Sequence, residues 1–288
     1  MLRSTPLALL ATLAITGPLR AQTASPLDSI PCSSCAEWNQ PQRPFRVFGN
    51  TYYVGTHGLS AILVTSPAGH VLIDAGLPQS APRVMANVRA LGFRVEDIRL
   101  ILNSHAHFDH AGGLAAVQRA SGARVAATAA SARVLERGAS EPSDPQYGSL
   151  PAFAAVRGPV QVVADGETVH VGGIALTAHA TPGHTPGGTT WTWRSCEGDR
   201  CLDIVYADSQ TPVSADGFYF TRSTAYPNAV ADFARGAAVL ERLSCDILLT
   251  PHPGASDLWE RVTARVAGNA DALVDRGACA RYAADARQ

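Results

Sequence analysis

Ser104-His105-Ala106-His107-Phe108-Asp109-His110-Ala111-Gly112-Gly113 sets three histidines and one carboxylate within six positions, directly after the apolar run Leu100 to Asn103. If that run is a buried strand, His105 and His107 leave its end on the same side, because residues two apart on an extended chain share a face. They can then grip one ion together. Asp109 and His110 fall where the chain turns into a helical pattern (Ala115, Ala116, Gln118, Arg119), so their side chains reach a different point. The expectation is two metal ions rather than one. Imidazole nitrogen and carboxylate oxygen suit zinc, with manganese or iron as alternatives.

Two further histidines stand in settings that suit ligands. His184 lies in Thr181-Pro182-Gly183-His184-Thr185-Pro186-Gly187-Gly188, a stiff turn between two strand-like runs that would hold one imidazole in a fixed direction. His252 lies in Thr250-Pro251-His252-Pro253-Gly254, directly after the apolar run Asp246 to Leu249. By contrast His57, His70, His170 and His179 lack such a setting and read as structural or exposed.

The surrounding pattern alternates strands and helices. Thr51 to Val54 and Ser60 to Thr65 are rich in β-branched and aromatic residues, and the turn Ser66-Pro67-Ala68-Gly69 leads into a hairpin strand from His70 to Asp74. Pro82 to Leu91 has helical spacing, with Ser80 as cap and Gly92 just past the end. Downstream come a helical Ser131 to Arg137, a mobile-looking Pro/Ser/Gly segment from Ser140 to Pro151, and strands at Val160 to Ala164, Ile174 to His179, Thr189 to Trp193 and Asp203 to Tyr206. Helical patterns close the chain at Ala229 to Leu243 and Leu258 to Val266. Strands mixed with helices in both halves suggest two sheets with helices packed outside.

The 288 residues are 46% apolar and 16% charged, with a net charge of -1. That is enough for one large domain, and the missing basic excess disfavours nucleic acid as a partner. Arg3, the apolar stretch Leu7 to Ile15 and Leu19-Arg20-Ala21 read as a secretory signal over residues 1–21, leaving a single domain at 22–288 behind a short N-terminal arm. The stretch is too short to span a bilayer, so no stable membrane insertion is expected after cleavage. The six cysteines allow many pairings. Short loops favour Cys32 with Cys35 and Cys196 with Cys201, leaving Cys245 and Cys279, and an oxidising compartment would permit all three. A structural zinc site on Cys32-Ser33-Ser34-Cys35 is the rival reading, but no second Cys-x-x-Cys completes it.

His105-x-His107-x-Asp109-His110, then His184, then His252 resembles the metallo-β-lactamase superfamily. The resemblance implies an α+β fold, a four-layer αββα sandwich with the metals at one edge of the sheets. Within the superfamily the chain looks like the third subclass of class B β-lactamases. That likeness implies one zinc on His105, His107 and His184 and a second on Asp109, His110 and His252. The cysteine ligand of the first subclass is absent. Ser209 stands in its place, in Tyr206-Ala207-Asp208-Ser209-Gln210-Thr211, and relatives use this serine and the hydroxyl two residues later, here Thr211, to bind the substrate carboxylate. Gln146 and Trp38 would line the cleft by the same likeness, and the Cys245 and Cys279 pair resembles the subclass disulfide.

The implied activity is zinc-dependent hydrolysis of the β-lactam ring of penicillins, cephalosporins and carbapenems by a metal-bound hydroxide, in a periplasmic monomer conferring antibiotic resistance. Asp109 would be ligand and catalytic group, orienting the nucleophile. The alternative is a glyoxalase-type thioester or lactone hydrolase on the same fold, in which an aspartate bridges both metals. Asp208 sits close to that position in sequence and keeps this reading open.

Overall fold

Neighbouring residues on the central strands enter different cores, and this alternation builds the layers. The computed structural model describes Met1 and residues 29–287; the signal-peptide reading of residues 1–21 falls, apart from Met1, outside them. A seven-stranded sheet runs in order through β1 (Phe45–Phe48), β2 (Thr51–Tyr53), β3 (Ile62–Val64), β4 (His70–Ile73), β5 (Ile98–Leu102), β6 (Arg124–Ala127) and β7 (Gln161–Val162). Its first four strands pair antiparallel, and β4 to β7 pair parallel. A five-stranded sheet has the order β12 (Ile247–Leu249), β11 (Arg200–Tyr206), β10 (Thr189–Glu197), β9 (Ile174–Ala180) and β8 (Thr168–Val171).

Ile62, Val64, Val71, Ile73, Leu100 and Leu102 face the second sheet and meet Leu176, Trp191, Trp193, Ile204, Tyr206 and Ile247 in the central core. The residues between them, Leu63, Leu72 and Ile101, enter a second core with Val84, Val88, Leu114, Val117 and Leu135. Those partners lie on helices α2 (Ala81–Ala90), α4 (Leu114–Ser121) and α5 (Ala129–Arg137), which follow α1 (Cys35–Trp38) and α3 (Phe108–Ala111) in the numbering. On the opposite face Val205 and Leu248 pack with Ala237, Leu240, Cys279 and Ala283 from α6 (Ala229–Arg242) and α8 (Ala278–Asp285), while Leu258 of α7 (Leu258–Val266) closes the central core. Helix, sheet, sheet and helix form the expected four layers. The central strands β3 and β4 are apolar on both faces because both faces are covered.

Local departures from the sequence reading have physical causes. Ser80 sits at the α2 cap position but gives its hydroxyl to Asn39 Oδ1 at 2.9 Å instead of capping the helix. The strand read at Val160 to Ala164 shortens to Gln161–Val162 at the sheet edge. The strand read at Thr189 to Trp193 extends to Glu197, where polar residues hide it, because Cys196 and Cys201 are facing partners in the β10–β11 hairpin and are joined by a disulfide. Cys32 joins Cys35, and Cys245 joins Cys279. The mobile-looking segment is a series of tied turns, with Asp144 N–H donating to Glu141 O, Tyr147 N–H to Asp144 O and Ser149 N–H to Gln146 O. Among the described residues no helix is long and apolar enough to cross a membrane.

Candidate metal centre

Strand direction brings the candidate ligands to one end of the sandwich. β4 and β5 run parallel, as do β11 and β12, so the segments after Ile73, Leu102, Tyr206 and Leu249 emerge together. The β9–β10 turn opens at the same end, since β10 runs antiparallel to both β9 and β11. Bonds across the two sheets fix their relative position there: Thr189 N–H donates to Ser104 O at 2.8 Å, and the Trp191 indole to Asn103 O at 3.0 Å. Ser60 N–H donates to Pro251 O at 2.8 Å, and its hydroxyl to Thr250 O at 2.7 Å, which pins the His252 turn onto the first sheet.

The Gly-Gly at the end of the histidine cluster reflects close packing. A Cβ at Gly113 would stand 2.4 Å from Ala75 O, so only glycine lets α3 lie against the turn after β4. That turn begins at Asp74, which has φ of 58° and is fully buried. Its carboxylate accepts from Asn103 Nδ2 and Ser104 N at 2.9 Å, from Ser104 Oγ at 2.6 Å and from the Tyr206 hydroxyl at 2.8 Å. Burial pushes the Asp74 carboxyl above its ordinary range, while His110 and the donated bonds pull it back. One side chain thereby ties the start of the cluster to the second sheet.

His105, His107 and His184 converge so that one donor atom from each lies within 4.8 Å of the others. All are buried, and each uses its other ring nitrogen elsewhere. His105 Nδ1 faces Asp208 Oδ1 at 2.7 Å, His107 Nε2 faces Asp144 Oδ2 at 2.9 Å, and His184 Nδ1 faces the Thr211 carbonyl at 2.8 Å. A carboxylate or carbonyl oxygen only accepts, so each ring donates outward. That leaves His105 Nε2, His107 Nδ1 and His184 Nε2 with lone pairs turned inward. Burial, with the neighbouring histidines adding to it, lowers His105 well below the ordinary imidazole range and His184 to about 3.

Asp109 joins the second group. His105, Asp109 and His110 form a further cluster within the same span, and Asp109 Oδ2 lies 3.2 Å from His110 Nε2 and 3.3 Å from His252 Nε2. The rings of His110 and His252 stand 4.8 Å apart, and Trp38 lies 5.2 Å from His252 on the outer side. Burial, the largest single influence, pushes the Asp109 carboxyl up, but His110 and His252 overcome it and hold Asp109 well below the usual carboxylate range. All six histidine and aspartate candidates therefore meet at one edge.

The donor set fits borderline divalent cations. His105 Nε2 and His110 Nδ1 are buried without a hydrogen-bond partner, and His110 Nε2 approaches Asp109 Oδ2 without hydrogen-bond geometry. Such groups cost about 1–3 kcal/mol each unless something takes their lone pairs, and a cation such as zinc would take one lone pair from each ring. Asp208, whose sequence position left a bridging role open, spends Oδ1 on the outer nitrogen of His105; its Oδ2 lies where a Cβ at Gly188 would come within 2.3 Å. Burial pushes its carboxyl well above the ordinary range. The contact it makes with the site is to the outer nitrogen of a histidine, which it supports from behind.

Ser209 is buried beside this group, Thr211 is exposed, and Gln146 is half-buried with its N–H donating to Asp144 Oδ1 at 2.8 Å. Sequence reasoning missed Asp74 and Asp144 as parts of the site. The only signal for Asp74 was a carboxylate ending an apolar strand, and Asp144 had none beyond an acidic residue in a polar loop.

A two-sheet sandwich with six metal-type donors along one edge defines a class of metal-binding proteins. The model of the metallo-β-lactamase superfamily matches residues 54–262, and the chain belongs to that superfamily. Among solved structures it is similar to Rm3 metallo-β-lactamase, at 56% identity and a TM-score of 0.88, over 90% of this chain and 96% of that one. It is also similar to MEM-A1, a subclass B3 metallo-β-lactamase isolated from a soil metagenome library, at 50% identity and a TM-score of 0.85, over 87% of this chain and 94% of that one. A hydroxyacylglutathione hydrolase of Anaeromyxobacter dehalogenans (strain 2CP-C) is 34% identical over 131 residues, and the match spans 46% of this chain and 40% of that relative's length.

Proposed function

We propose that this chain is a zinc-dependent β-lactamase of the third subclass that holds two zinc ions, one on His105, His107 and His184 and one on Asp109, His110 and His252. The observation that carries the reading is the set of three inward-facing nitrogens, each fixed by an outer partner, beside the Asp109, His110 and His252 group. When bound, such ions supply Lewis acidity and bring the pKa of water to about 7.

The residues do the rest. Neutral His105 and His184 keep lone pairs available across the working pH range. Asp109, held anionic by His110 and His252, would orient the attacking water with its carboxylate and could accept its proton. The Ser209 and Thr211 hydroxyls fix the carboxylate next to the lactam nitrogen, which supplies orientation rather than bond making. Trp38, against His252, and Gln146, beside Asp144, would line the cleft. Three disulfides, and a chain start that reads as a cleaved signal, support export to an oxidising compartment such as the periplasm, where we infer that the chain acts as a monomer on small β-lactams and confers antibiotic resistance.

The thioester or lactone hydrolase reading is the weaker one. The bond from Asp208 to His105 turns that carboxylate away from the bridging role the reading needs. Purified zinc-loaded protein, assayed on a carbapenem, a glutathione thioester and a lactone, tests the choice: lactam turnover is expected, and thioester turnover without lactam turnover overturns it.

A further inference from the structure

His107 is tied to the loop that carries Gln146 through one buried side chain. Asp144 Oδ2 takes the bond from His107 Nε2 at 2.9 Å, and Asp144 Oδ1 takes the N–H of Gln146 at 2.8 Å. The same residue gives its N–H to Glu141 O at 2.8 Å and accepts the Tyr147 N–H at 3.0 Å, so it is the hub of the turn. Glu141 is held in turn by Arg133 at 2.9 Å. The next residue, Pro145, accepts the Ala215 N–H at 2.9 Å, joining this loop to the segment that follows Thr211. Thr211 O already holds His184 Nδ1. The Gln146 loop and the segment from Asp208 to Thr211 are thus both fastened to the outer nitrogens of the three-histidine set.

We propose that Asp144 is a positioning residue that couples metal binding on His107 to the seating of the Gln146 loop. The inference rests on reading His105, His107 and His184 as metal ligands. Its chemistry is that of one acceptor shared by two donors. A cation on His107 Nδ1 makes the Nε2–H a stronger donor, which tightens the Asp144 carboxylate and, with it, the loop. By linkage, a seated loop raises the affinity for the metal by the same factor. The arrangement needs both carboxylate oxygens. In Asp144→Asn the amide oxygen accepts from either His107 or Gln146, and the NH₂ confronts the other donor or forces His107 into the tautomer that protonates its inward nitrogen.

The test is zinc titration of the metal-free mature protein against a chelating dye, with amide hydrogen exchange across residues 140–151 read with and without zinc. In the unaltered protein zinc is expected to slow exchange at Gln146 and Tyr147. In Asp144→Asn the affinity for the first zinc is expected to fall about 10–100-fold, the scale of lost support behind a metal-bound histidine, and the zinc-dependent protection to disappear. At saturating zinc KM should rise more than kcat falls. An affinity within about twofold of the unaltered protein, or exchange in the unaltered protein that ignores zinc, overturns the proposal. The exchange measurement needs no variant, so a misfolded Asp144→Asn leaves the proposal open to refutation. Neither binding readout uses a substrate, so a failure of lactam turnover is distinguishable from a failure of this coupling.

Discussion

The two halves of the metal edge are built differently. The three-histidine half is sealed, and each ring is held from behind: His105 and His184 by Asp208 and Thr211 of the segment after β11, and His107 by Asp144 of the loop after α5. The Asp109, His110 and His252 half is joined through one carboxylate, and the His252 side chain remains 36% exposed against Trp38. The comparison teaches a division of labour: a buried donor set supported from behind stands beside a more open one, and on the proposed reading the first would hold its ion firmly while the second would leave room for substrate. Supported imidazoles give affinity, and an accessible one leaves room for substrate.

Breaking the more open half should have the largest effect. Asp109→Ala removes the carboxylate shared by His110 and His252, so zinc content should fall toward one ion per chain and kcat/KM should drop about 10²–10⁴-fold. Elemental analysis alongside kinetics checks this, and two retained zincs would contradict the assignment. The sealed half is sharpened by Asp208→Ala, which frees His105 Nδ1. Zinc affinity should fall about 10–100-fold while the fold persists, read by dye competition and circular dichroism.

Acidification separates the halves without mutation. His105 and His184 have pKa values below their ordinary 6.5, so between the folded values and 6.5 the unfolded chain binds more protons. Stability of the metal-free protein should therefore fall as pH drops from above 6.5 toward 3, by about 1 kcal/mol per pH unit for each of these groups. Denaturant melts in chelator report the slope, and His184→Ala should reduce it; an unchanged slope would remove His184 from the account. The smallest effect is expected at Ser209→Ala, where one hydrogen bond to substrate is worth about 1 kcal/mol and KM should rise about fivefold with kcat nearly constant.

Much of this was legible in the sequence, for a physical reason. Four of the six candidate ligands lie in one ten-residue stretch, and the other two sit in Pro/Gly turns after apolar runs, where local chain geometry decides direction. The layers were legible through buried strands that take neighbours on both sides, as at Val71, Leu72 and Ile73. What escaped depends on distant packing. Asp144 meets His107 only because the loop after α5 folds back over the site, and Asp74 meets Tyr206 only after the two sheets dock. Thr168–Val171 and Phe45–Phe48 are only four residues long, too short for their pattern to announce them as strands, as befits their place at sheet edges.

Asp74 also makes the metal edge answer to the docking of the two sheets. Asn103 and Ser104 reach its carboxylate directly after β5 of the first sheet, whereas the Tyr206 hydroxyl reaches it from β11 of the second. A change that slides one sheet against the other is therefore passed to the start of the histidine cluster through this one carboxylate, so a lesion deep between the layers is expected to be felt at their rim.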